Sequence, residues 1–175
     1  MSGAAPWPGL AAWVESRRPT GGRTVAIIDG GSGAGKTSLA SRLADDLGAQ
    51  LVSLDAVYPG WHGLAAAQQW LPGIIAGEGH PTWDWEHHCR SGWVDVPADG
   101  DLVIEGCGAL TPASAALSTA TLWCELDAHT RKRRALERDG DGFRPWWDVW
   151  ADQEHDHWRR HQPWRLARLV LPMPA

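Results

Sequence analysis

The stretch Thr24-Val-Ala-Ile-Ile-Asp-Gly-Gly-Ser-Gly-Ala-Gly-Lys-Thr37 decides the fold. Residues 24–28 form a short continuous apolar run, the pattern of a strand buried on both faces of a parallel sheet. Residues 30–37 fit G-x-x-x-x-G-K-[ST] at every position. Glycines let the backbone curl so that its N–H groups converge on an anion. The helix expected next, over 36–47 with Gly48 as its stop, adds its positive end to the same anion. Lys36, one of only two lysines in the chain with Lys132, is placed to reach β/γ phosphates, and the Thr37 hydroxyl to ligate Mg²⁺. Gly30, Gly31, Ser32, Gly33, Ala34, Gly35, Lys36, Thr37 and Ser38 are therefore the predicted nucleotide-binding residues, with ATP and Mg²⁺ as the expected cofactors.

Working outward, strands are expected over 51–54, 102–105, 121–126 and 168–171. Helices are expected over 10–17, 64–76, 128–138 and 145–161, and residues 77–97 read as irregular. Strands alternating with helices predict an α/β, three-layer P-loop NTPase fold: a mostly parallel five-stranded sheet with helices on both faces. The 175 residues fit one domain, with a lid-type helix and hinge over about 127–145.

Composition narrows the classes. The chain is 43% hydrophobic and 21% charged, enough apolar content for a core and unlike a disordered chain. A net charge of -5 disfavours a general nucleic-acid binder. No apolar run approaches the roughly 20 residues of a spanning helix, and the N-terminus lacks the charged and apolar regions of a signal peptide. The expectation is a cytoplasmic protein with no membrane partner. Cys89, Cys107 and Cys124 form no CxxC pair and read as reduced thiols in or near the core. Thirteen tryptophans stand against one Tyr and one Phe, some expected in the core and a few along a pocket.

Phosphoryl transfer needs more than a phosphate loop. Glu105 ends an apolar strand and Asp55 ends the second strand, on the edge of the sheet where ligands collect in open α/β folds. Glu105 is the expected partner of Thr37 on the metal, with Asp55 nearby, and Asp55 is also the candidate base for an acceptor hydroxyl. Arg131, Arg134 and Arg138 fall at i, i+3 and i+7, one face of a helix. Such a row can clamp phosphates and stabilise transferring charge, with residues 139–142 as a hinge and Arg144 within reach.

These residues resemble the uridine/cytidine kinases. Residues 28–38 are similar to that family's phosphate loop, and Asp55-x-x-Tyr58 to its D-x-F-Y element, where the aspartate is the catalytic base. Trp83-Asp84-Trp85-Glu86-His87-His88-Cys89-Arg90 resembles its Y-D-F-x-x-H-x-R segment. Val103-Ile104-Glu105-Gly106 resembles its V-x-x-E-G strand, and Asp127 through Asp139 its lid helix. The resemblance, over about residues 24–140, implies an ATP-dependent kinase. It implies catalytic roles for Asp55, Lys36, Arg131 and Arg134, phosphate contacts from Arg138, and an acceptor site of Asp55, Tyr58, Trp83, Asp84, Trp85, His88 and Arg90. Trp stands where the family has Tyr and Phe, so the pocket differs in width, and the expected acceptor is a nucleoside or a similar small hydroxylated molecule. A kinase for another metabolite or nucleotide, and a nucleotide-binding regulatory module without an acceptor, are the alternatives.

Two further patterns are read as structural. His155, His157 and His161 lack the convergent ligands of a metal site and are expected as exposed helix residues. Trp146, Trp147, Trp150 and Trp158 recur at near-helical spacing and are expected to form a packing face.

Overall fold

The computed structural model describes residues 7–175; residues 1–6, which the single-domain reading includes, lie outside the described residues. In chain order the elements are α1 (Leu10–Glu15), β1 (Val25–Gly30), α2 (Lys36–Leu47), β2 (Gln50–Ser53), α3 (Leu64–Gln68) and α4 (Leu71–Ala76). These are followed by β3 (His80–Asp84), β4 (Cys89–Val94), β5 (Leu102–Glu105), α5 (Pro112–Leu117) and β6 (Ala120–Glu125). The chain closes with α6 (Ala128–Phe143), α7 (Trp147–His161), α8 (Pro163–Leu166) and β7 (Leu169–Pro172). Five strands form one sheet in the order β2-β5-β1-β6-β7, and every pairing in it is parallel.

The period of two along β1 builds the layers. Val25 and Ile27 join Val52, Leu102 and Ile104 in a core covered by α3, α4 and α7. Ala26 and Ile28 point the other way, to Val103, Leu122 and the Leu39–Leu43 face of α2, with Leu10 and Val14 of α1 beyond. All six residues of β1 are buried, and each large aliphatic side chain so enclosed contributes about 1.5–3 kcal/mol. Helix α2 stops at Gly48, whose φ of 61° closes the last turn.

Three expectations change. The single helix over 64–76 is two, because Pro72 near the start of α4 has no N–H to continue the ladder from α3. The stretch read as irregular holds an antiparallel hairpin, β3 against β4, with a register shift between Thr82 and Trp83. Its turn carries His88 at φ 51°. Helix α5 was not expected; Thr111 accepts the Ser114 amide and the Ser114 hydroxyl accepts from the Thr111 amide, a capping box one residue before Pro112. Helix α6 starts on Asp127, which accepts the Thr130 amide at 2.9 Å. It is interrupted at Gly140 (φ 55°, ψ -134°), inside the stretch read as a hinge.

Candidate active site

Between β1 and α2 the chain turns through the glycine-rich loop of residues 30–35. Gly33 and Gly35 have φ of +80° and +95°, which a side chain would strain. Arg131 lies directly behind the loop. A Cβ on Gly31 would stand 2.2 Å from Arg131 Nη1, and one on Gly33 2.1 Å from the Arg131 carbonyl oxygen. Lys36 is buried, and its ammonium donates to the Gly31 carbonyl at 3.0 Å and meets Cys107 Sγ at 3.3 Å. Burial works against the Lys36 charge, but the surrounding acids, with Glu105, Glu154 and Asp29 among them, raise its pKa above the usual lysine value. The ammonium is therefore held charged beside the loop. Burial pushes the Cys107 thiol up, so it sits there as a neutral S–H.

Strand register assembles an oxygen cluster next to Lys36. Ser53 pairs with Glu105 across β2 and β5. The Glu105 carboxylate accepts from the Ser53 hydroxyl at 2.5 Å and from Thr37 at 3.3 Å. Burial raises its pKa, with Lys36 and Ser53 pulling the other way. Hydroxyl and carboxylate oxygens, with no sulfur or imidazole among them, are the hard donors Mg²⁺ selects. Asp55 follows in a 3₁₀ turn, Leu54–Ala56, one residue past the predicted strand end. Ser53 caps that turn, its hydroxyl accepting the Asp55 amide at 3.4 Å, and the Asp55 carbonyl accepts from Trp85 Nε1 at 2.8 Å.

The loop, Lys36, Thr37, Glu105 and Asp55 open into one cavity of about 610 Å³. Its far half is aromatic: Trp61, Trp85, Phe143, Trp146 and Trp150. Trp61 stacks on Phe143 and on Trp146, with centroids 5.3 and 5.8 Å away, and tilts against Trp85 at 4.8 Å. His88 and the pair Arg138–Asp139 complete it.

No family model matches the chain, and no curated protein matches it in sequence. Solved structures match it in shape. One described as a possible uridine kinase from Bacillus stearothermophilus superposes with a TM-score of 0.64 at 17% identity, covering 93% of this chain and 95% of the other. One named provisionally as a fructose transport system kinase from Silicibacter sp. TM1040 gives 0.63 at 17% identity, covering 97% and 100%. Shikimate kinase from Acinetobacter baumannii, in complex with shikimate, gives 0.53 at 15% identity over 87% and 85%. The fold is that of the P-loop kinases.

In this P-loop kinase fold the predicted site residues separate into groups. Ser32, Gly33, Gly35, Lys36, Thr37, Ser38, Asp55, Tyr58, Trp85, His88, Glu105 and Arg138 line the cavity. Gly30, Gly31 and Ala34 are buried within the loop and do not line the cavity. Tyr58 supplies only a buried wall, since its hydroxyl donates to the Cys107 carbonyl at 2.8 Å. Trp83, Asp84 and Arg90 are not among the lining residues. Trp83 lies against Gly60, its ring 3.5 Å from where a Cβ would sit. Arg90 Cζ lies 5.9 Å from the Trp70 ring. Asp84 accepts the Glu86 and His87 amides and the His87 ring, and these bonds lower its pKa. Only Trp85 and His88, near the hairpin turn, reach the cavity.

The three arginines of the row do not converge on one place. Arg131 is buried under the loop, with Nε donating to the Leu126 carbonyl at 3.1 Å and Nη1 to the Ser32 carbonyl at 3.3 Å. Arg134 lines a separate groove of about 350 Å³ with Trp7, Leu10, Leu39 and Met173. Arg138 does face the cavity, but one edge of its guanidinium, Nε and Nη2, holds Asp139 at 2.8 and 2.6 Å. Arg144 is exposed and lies 3.7 Å from Asp141.

Several residues of the site carried no local signal. Asp29 is buried, accepting amides from Gly30 at 2.6 Å, Gly108 at 3.0 Å and Leu110 at 2.9 Å. His157, expected on the surface, is buried and donates from Nε2 to Asp29 at 3.0 Å, while Gln68 donates to its Nδ1. Trp146 and Trp150, expected only to pack, also wall the cavity. Cys89 is exposed, whereas Cys107 and Cys124 are buried as expected.

Proposed function

We propose that the protein transfers the γ-phosphoryl group of ATP to a hydroxyl of a small molecule, a nucleoside or a compound of similar shape. The observation that carries this reading is that one cavity joins a buried, charged Lys36, the Thr37–Glu105–Ser53 oxygen cluster and an exposed Asp55. An aromatic chamber beside them is sized for a ring.

Roles follow from position. Loop amides and Lys36 hold the β/γ phosphates. Thr37 and Glu105, with Ser53 and Asp55 close by, are the oxygens that would hold Mg²⁺, whose contribution is to offset phosphate charge. The base of the nucleotide takes the Arg134 groove, because Gly35 and Ser38 border both that groove and the main cavity. Trp7, Leu39 and Met173 would there meet a flat ring. Asp55 accepts the proton of the acceptor hydroxyl as its oxygen bonds to the γ-phosphorus and ADP leaves.

The acceptor half offers no uncommitted cation among the described residues. Arg138 is engaged by Asp139, Arg131 lies under the loop, and Arg90 is outside. This favours an acceptor without a phosphate or carboxylate of its own, as a uridine-like molecule would be. Trp61, Trp146 and Phe143 suit stacking on such a ring.

The test is ADP release coupled to a spectroscopic readout, over nucleosides, nucleoside monophosphates, vitamins and sugars. A neutral ring-bearing alcohol should stimulate ADP formation well above the rate without acceptor. ATP binding with no stimulation by any member of the panel would instead favour a nucleotide-dependent regulatory module.

A further inference from the structure

Helix α7 does more than wall the acceptor chamber. Glu154, one turn beyond Trp150, is 2% exposed and reaches the phosphate loop from below. One of its carboxylate oxygens accepts the Ser32 amide N–H at 2.7 Å and the Cys107 thiol at 3.1 Å. The other stands 3.6 Å from Arg131 Nη1, which itself donates to the Ser32 carbonyl. The two peptide planes that flank Ser32 are thus each held from outside the loop, the first by Glu154 and the second by Arg131. Three residues along the same helix, His157 holds Asp29 at the loop's root.

A buried carboxylate beside an anion site needs a reason, because it repels the anion it adjoins. Arg131 offsets the charge, and the Ser32 amide is what the remaining bond secures. Glycine-rich backbone loses much conformational freedom when it is ordered, and a site whose backbone is already ordered binds more tightly. Ser32 is flanked by Gly31 and Gly33, the two positions with the least intrinsic restraint.

We infer that Glu154 is a positioning residue for phosphoryl transfer: it presets the Gly31-Ser32-Gly33 backbone in its anion-binding shape before nucleotide arrives. The inference rests on the phosphate-site reading above. It assigns to a helix distant in sequence a direct hold on the loop.

The experiment combines amide hydrogen exchange on the nucleotide-free protein with calorimetry of Mg·ATP and of inorganic tripolyphosphate on wild type, Glu154→Ala and Glu154→Gln. The Ser32 amide should already be protected without nucleotide. Glu154→Ala should weaken both ligands by about 10–100-fold, the scale of one charge-assisted hydrogen bond. Glu154→Gln, which keeps an oxygen for the Ser32 amide, should return both to within about threefold of wild type. An unprotected Ser32 amide in the wild-type apo protein overturns the inference even if Glu154→Ala does not fold. So does Glu154→Gln binding as weakly as Glu154→Ala, or Glu154→Ala binding as tightly as wild type. A wild-type protein that bound neither ligand would instead remove the phosphate-site reading itself.

Discussion

Two loop glycines are restricted by the same arginine through different atoms, and this separates two kinds of steric cost. A methyl on Gly31 meets the guanidinium of Arg131, with Nη1 at 2.2 Å and Cζ at 2.5 Å. The guanidinium can withdraw only by giving up its bonds to Ser32 and Leu126 and its approach to Glu154. Hydrogen bonds from a charged group are worth about 1.5–3 kcal/mol each, so losing both puts the cost of Gly31→Ala at about 3–6 kcal/mol. A methyl on Gly33 meets the Arg131 backbone, with the carbonyl oxygen at 2.1 Å, at a φ of +80°. Left-handed strain of about 1–2 kcal/mol and overpacking of about 1–3 kcal/mol give Gly33→Ala a cost of about 2–5 kcal/mol. The two should diverge when the guanidinium is removed together with its buried partner, in an Arg131→Met, Glu154→Gln background. There Gly31→Ala should fall to about 1 kcal/mol or less, while Gly33→Ala keeps its full cost to within about 0.5 kcal/mol, as expected where no interaction couples the sites. Urea unfolding followed by tryptophan fluorescence gives all six stabilities. An undiminished cost of Gly31→Ala in that background would refute the claim that Arg131 dictates this glycine.

Other outcomes test the chemistry. Lys36→Ala should abolish ATP-dependent transfer, and Asp55→Asn should lower kcat by about 10²–10⁴ with ATP affinity kept; unchanged turnover in Asp55→Asn would remove Asp55 as the base. Because burial raises the Glu105 carboxyl above its ordinary value of 4.5, its protonated form is favoured in the folded state. The stability this gives is present below pH 4.5 and is lost as pH rises through the raised value. Mg²⁺ binds the ionised form, so it should raise the melting temperature more at pH 8 than near pH 5, by differential scanning fluorimetry. An equal effect at both pH values, or one that survives Glu105→Gln, would count against Glu105 as a metal ligand. Trp61→Leu should raise the acceptor KM about tenfold through lost ring stacking and leave the ATP KM alone; an unmoved acceptor KM would place the acceptor elsewhere.

How far the sequence exposed this architecture depended on whether burial and bonding were local. Strand β1 was legible because it is buried on both faces and therefore apolar at every position up to Ile28. Helix α2 was legible because its loop and its Gly48 stop are adjacent in the chain. The hairpin was not, because β4 is exposed along its whole length and no apolar alternation marks it. Residues 64–76 read as one helix because the run is apolar throughout, yet the missing N–H of Pro72 breaks the ladder whatever the composition around it.

The site divides along the same line. Asp55 and Glu105 could be found because parallel strands deliver their carboxyl ends to one edge, so a residue's place in its own strand nearly fixes its place in the site. Arg131 shows where such reasoning stops. Spacing of three, four and seven says which side chains share a helical face, but not what that face meets. Here α6 lies so close to the loop that Arg131 is captured beneath Ser32, Arg134 turns into a neighbouring groove, and of the three only Arg138 faces the cavity. Glu154 and His157 lie more than a hundred residues from Ser32 and Asp29, and no pattern around them distinguishes an acid that grips a loop from one that faces water. What makes them necessary is nevertheless written at the loop: a run of glycines can be shaped by an anion or by its surroundings, and a loop shaped in advance requires buried polar partners from elsewhere in the chain.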